Sequence, residues 1–135
     1  MDHDTMGLAE RQELAAFKQD TFPPKLAELR EAASGAEFQV TLDEESFTSA
    51  AAVQMLSNGV FDRLIDDLKH VCRDAIGKQA VREGLRTVHV VHKDAPGYTL
   101  GLKDGTLTLH AKLDGSIGDD LPGYGAYKDF LFKKL

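Results

Sequence analysis

The chain has 135 residues, of which 42% are hydrophobic and 28% charged, with four prolines and a formal net charge of −6. These values fit one globular domain and exclude a disordered or fibrous chain. A lone cysteine, Cys72, excludes an internal disulfide and every two-cysteine zinc or redox motif, and no sustained basic stripe marks a phosphate-backbone binder.

The charge is unevenly spread. Residues 1–46 hold eleven acids against four bases, whereas residues 47–135 hold eleven acids and twelve bases. The whole excess is N-terminal. The opening "MDHDTMGLAERQEL" carries acids where a signal peptide needs bases, and no stretch approaches the ~20 apolar residues that cross a bilayer. A cytoplasmic address is expected.

In chain order, "GLAERQELAAFKQDTFPPKLAELREAASG" repeats Leu8, Leu14, Phe17, Leu26, Leu29 and Ala33 at helical intervals, interrupted by "TFPPK". This predicts two helices, 8–19 and 24–34, with Pro24 in a first turn and Gly35 at a C-cap. "FQVTL" at 38–42 alternates apolar and polar residues, the period of a strand with one buried face. A short helix follows, ending at Asn58-Gly59. From Val60 to Glu83, Phe61, Leu64, Ile65, Leu68, Val71, Cys72, Ala75 and Ile76 keep helical spacing, which predicts one long core helix kinked at Gly77 and ended by Gly84 in the left-handed region.

The remaining strands are predicted as a meander over 86–113. Asp104-Gly105 is a strong two-residue hairpin signal, because a type I′ turn needs positive φ at both central positions. That turn sets Lys103 opposite Thr106 and Thr99 opposite His110, so Leu100 and Leu102 meet Leu109 and Leu107 on one face. Arg86–His92 supplies the neighbouring strand, before a turn at Asp94-Ala95-Pro96-Gly97. After the loop "DGSIGDDLPGYG", "YKDFLFKKL" puts Tyr127, Phe130 and Leu131 on one helical face. The expected fold is α+β, with a four-stranded mostly antiparallel sheet, one strand near 38–42 and the others in 86–113, and helices on one face. Residues 1–135 form one domain, with an acidic helical segment at 1–35 and an α+β body at 36–135.

Chemical motifs are sparse. With strands paired in chain order, His89 and His110 share the open face but have a strand between them, roughly 9–10 Å, while two nitrogens on one zinc stand about 3–3.5 Å apart. A solvated strand face therefore explains them better than a metal. Cys72 falls in the apolar stripe of a helix, where cysteine behaves as a small hydrophobe. The glycines of 114–125 lack the lysine of a phosphate loop, and Asp114, Ser116, Asp119 and Asp120 lack the spacing of a calcium loop. No cofactor is implied.

The expected function is thus a non-catalytic protein-binding module. It would dock through the acidic N-terminal helices, at Glu10, Glu13, Glu28 and Glu31, or through the open sheet face, at His89 and His110. A basic protein would suit the acidic segment as partner; nucleic acid and membrane would not. The alternative is a small enzyme or ligand-binding protein with a pocket near the 114–125 loop.

Overall fold

The computed structural model describes residues 7–135, so the first six residues of the acidic segment lie outside it. The elements are α1 (Leu8–Ala16), α2 (Phe22–Ala32), β1 (Gln39–Leu42), α3 (Ala50–Met55), α4 (Asp62–Val71), α5 (Ala75–Gly84), β2 (Thr87–His92), β3 (Tyr98–Lys103), β4 (Thr106–Ala111) and α6 (Ala126–Lys134). The fold is α+β, and the four strands lie in the order β1-β2-β4-β3.

The sheet is mixed and mostly parallel, which corrects the expected antiparallel meander. β1 pairs with β2 and β2 with β4 in parallel, and only β3 with β4 is antiparallel. The helices α3, α4 and α5 separate β1 from β2 in the chain, and a strand–helix–strand connection is what lets two neighbouring strands run the same way. Burial explains the second departure. Val88, Val90, Leu107, Leu109 and Ala111 are all buried, so β2 and β4 take the centre. Leu100 and Leu102 are only half-buried and alternate with exposed Gly101 and Lys103, a pattern that suits an edge. The Lys93–Gly97 loop steps over β4 to reach that edge.

The hairpin itself follows the sequence. Asp104 and Gly105 have φ of 52° and 80°, and the pairs run from Lys103 with Thr106 to Thr99 with His110.

The helices depart at their boundaries. The break expected at "TFPPK" is a π turn, Phe17–Thr21, through which α1 runs on into α2 with its prolines in the first turn. The wider turn accommodates the amides that proline lacks. Asn58-Gly59 does not stop the short third helix either. It lies inside a π turn, Leu56–Phe61, that joins α3 to α4. Phe17, Phe22 and Phe61 meet across these turns with ring centroids 5.8 to 6.0 Å apart, tying the N-terminal helices to the body.

The long helix expected over Val60–Glu83 is two helices. The chain leaves α4 at Cys72, and Asp74 starts α5 by accepting the Gly77 N–H at 2.7 Å. A Cβ on Gly77 would stand 1.7 Å from the Val71 carbonyl oxygen, so glycine is what allows this close break. Gly84 does not adopt positive φ; α5 ends instead on extended Leu85.

One hydrophobic cluster joins all the helices to the inner face of the sheet, centred on Leu29, Phe38, Phe47, Phe61, Leu64 and Leu68. Among the described residues, no helix packs on the other face, where His110 is exposed. That face positions the candidate site.

Candidate functional site

Strand alternation and register together place Thr41, Thr87, His89, Val91, Thr99, Thr106, Thr108 and His110 on the outer face. The threonines stand there because a β-branched side chain suits a pleated surface and a hydroxyl tolerates water. The result is a field of mostly short side chains, with the longer Gln39 and Lys103 on its outer strands, roughly 15 Å across and about 20 Å along the strands. His110 is exposed and His89 and Val91 are half-exposed.

The histidines are not separated by a strand, which overturns the spacing argument made from the sequence. His89 is in register with Thr108, and His110 with Val91, so they stand on adjacent strands, two residues apart along them. That diagonal is still about 7–8 Å between backbones. The His89 ring is engaged on its other side, with Nδ1 at 2.7 Å from Thr41 Oγ1 on β1. Among the described residues, no group of three His, Cys, Asp or Glu side chains is placed to hold a metal ion.

The four acidic residues do not converge. Glu13 accepts from Gln54 Nε2 at 3.5 Å and lines a hollow of about 250 Å³ against α3. Glu28 lies 4.0 Å from Lys25, and with Glu31 it lines a separate hollow of about 430 Å³ opposite Lys69 and Lys78. Cys72, itself buried, also lines that second hollow, and desolvation pushes its thiol pKa up. Lys25 also pairs with Asp62, which raises its pKa. Glu10 is half-exposed on α1.

The 114–125 loop closes on itself. Asp120 accepts the N–H groups of Gly97 at 2.9 Å and Ser116 at 3.0 Å, which hold its pKa low. Burial would raise Asp114, but the Lys112 ammonium at 3.2 Å contributes to a net lowering. The hollows described here, of about 250 to 570 Å³, include none lined by a residue of this loop. Next to it, His92 ends β2 on the inner face. Its Nδ1 accepts the Leu113 N–H at 3.2 Å, and its Nε2 lies 3.5 Å from the exposed Asp94 carboxylate.

Sequence reasoning missed one polar group on the inner side. Asp67 is only 4% exposed, accepts the Lys128 N–H at 3.1 Å, and has its pKa raised by burial. The buried Tyr127 hydroxyl and Arg63 Nε have no hydrogen-bond partner among the described residues, and burial drives the Tyr127 pKa up. The signal was legible, since Asp67 lies three residues after Leu64 and four before Val71, on the same stripe. These groups join α4 to α6 rather than face a cavity.

No family model, curated protein or solved structure matches the chain. Among the described residues, no helix is long and apolar enough to cross a membrane.

Proposed function

We propose that this chain is a non-catalytic protein-binding module that docks its partner on the open sheet face. The observation that carries the reading is the asymmetry of the sheet. Its inner face is packed under the helices, completely along β2 and β4, while its outer face is a broad surface of mostly short side chains with His89, Val91 and His110 at its centre. Hydroxyls and imidazoles there can both donate and accept hydrogen bonds, and short side chains lose little rotamer entropy when a partner covers them. The N-terminal acidic excess favours encounter with a basic partner, and its effect reaches beyond contact distance. A cytoplasmic setting is part of the same proposal.

The test places a photo-crosslinking side chain at Thr108 on the face or at Gln12 on the exposed side of α1, in the native extract. Capture of one discrete species at Thr108 and not at Gln12, abolished by His110→Glu, is the expected result. Capture at Gln12 alone would move the docking surface to the acidic helices and overturn the reading.

A further inference from the structure

The two edges of the sheet are unequal. β1 is four residues long and runs directly into Asp43, Glu44 and Glu45. β3 is six residues long, pairs with β4 in unbroken register, and contains no proline, no bulge and no charge before Lys103. Edge strands normally carry such devices because their unpaired groups template the addition of another strand.

The outward groups of β3 can be assigned. In a two-residue hairpin Lys103 and Thr106 exchange both backbone bonds, so Lys103, Gly101 and Thr99 point their N–H and C=O toward β4. Those of Tyr98, Leu100 and Leu102 therefore point away from the sheet. No backbone hydrogen bond of the described residues outside the strands and helices reaches them.

We propose that β3 pairs with β3 of a second copy of this chain, antiparallel about a two-fold axis at Leu100, joining two four-stranded sheets into one. Self-complementarity carries the choice of occupant. With Leu100 on the axis, Tyr98 lies opposite Leu102 and Thr99 opposite Gly101, so apolar positions meet on the helix side and small polar ones on the open side. The residues brought into hydrogen-bonded pairs are the three whose backbone groups point outward. Tyr98, Leu100 and Leu102 each keep partial exposure that a second edge would cover.

The surroundings of the strand fit as well. Leu102 shares a hollow of about 570 Å³ with Ile76, Ala80 and Leu135, and Ile76 is 83% exposed. This margin, which also carries Glu83, Asp104 and Lys134, would lie beneath the Tyr98 end of the second copy. The same register sets Lys103 opposite Gly97 of the other chain, whose N–H is held by the Asp120 carboxylate, so opposite charges approach at both ends.

The edge is a separate surface from the centre of the open face, and its test reads oligomeric state alone. Sedimentation of the wild-type chain over a concentration series should show a monomer–dimer equilibrium. Thr99 and Gly101 are exposed, and a Cβ on Gly101 meets nothing within 4 Å, so Thr99→Lys with Gly101→Lys should leave the fold unchanged by circular dichroism. Lysines then face lysines across the axis, and the dissociation constant should rise by roughly tenfold or more. Thr99→Glu with Gly101→Glu should do the same, and mixing the two variants should restore a dimer. A monomeric wild type, a dimer indifferent to the lysines, or failure of the mixture to re-associate would each overturn the proposal.

Discussion

β4 has two neighbours, and the two pairings arise from different physics. Its antiparallel pairing with β3 is local. Two turn residues with positive φ fix the register, and every pair follows from them. Its parallel pairing with β2 has no such local determinant. It forms because Val88 and Val90 bury completely only beside Leu107 and Leu109, which leaves the half-buried β3 at the edge. Turn chemistry thus decides which residues oppose one another, while burial decides which strands sit at the centre. The candidate platform depends on the second kind of decision, because it brings the His89 strand beside the His110 strand.

Substitutions can separate the two pairings. Leu109→Ala removes a side chain that is 1% exposed on the strand shared by both, and should lower stability by about 2–5 kcal/mol in chemical denaturation. Gly105→Val attacks the local pairing alone. A β-branched residue at φ of 80° should cost on the order of 1–2 kcal/mol, read as a lowered urea midpoint with the β2–β4 amides still protected from exchange.

Asp67→Asn leaves both pairings alone and gives a control for the helical layer. Burial raises the folded-state pKa of Asp67, so the folded chain holds that proton more tightly than the unfolded chain does. Ionisation of Asp67 therefore opposes folding as pH rises from the unfolded value of about 3.9 through the raised folded value. Asparagine can still accept the Lys128 N–H and does not ionise. Denaturation midpoints from pH 3 to pH 8 should show the variant gaining on wild type as pH rises and then holding level. A constant difference would place the Asp67 pKa at its ordinary value.

The smallest effect is expected on the open face. His110 is exposed and lies outside the core, so His110→Ala should change stability by less than about 0.5 kcal/mol by the same denaturation measurement.

The same division explains what could be read from the sequence. Strand alternation in "FQVTL" and "TVHVVH" and the Asp104-Gly105 turn are signals within a few residues, and they placed the strands, the hairpin and the helix-free face. The order of the strands depends on which apolar residues bury completely, and a period of two looks the same in a central and an edge strand. The helix between β1 and β2 was the available sign of parallel pairing. The break at Cys72–Asp74 was hidden because apolar spacing continues through Ala75 and Ile76, although Ile76 is 83% exposed. Of the candidate residues, His89 and His110 were assigned to the right face with the wrong separation. The four glutamates were identified by charge alone, which carries no information about whether they converge.

The adjacency of β2 and β4 underlies the whole platform and can be measured by cross-linking in a Cys72→Ala background. His89 and Thr108 are in direct register on neighbouring strands, about 4.8 Å apart and within disulfide reach. Gly101 lies in the same row one strand further on, roughly 10 Å from His89. Under mild oxidation, His89→Cys with Thr108→Cys should form an intramolecular disulfide, and His89→Cys with Gly101→Cys should remain reduced. Rapid bridging of 89 to 101 with none between 89 and 108 would restore the chain-order meander and remove the platform.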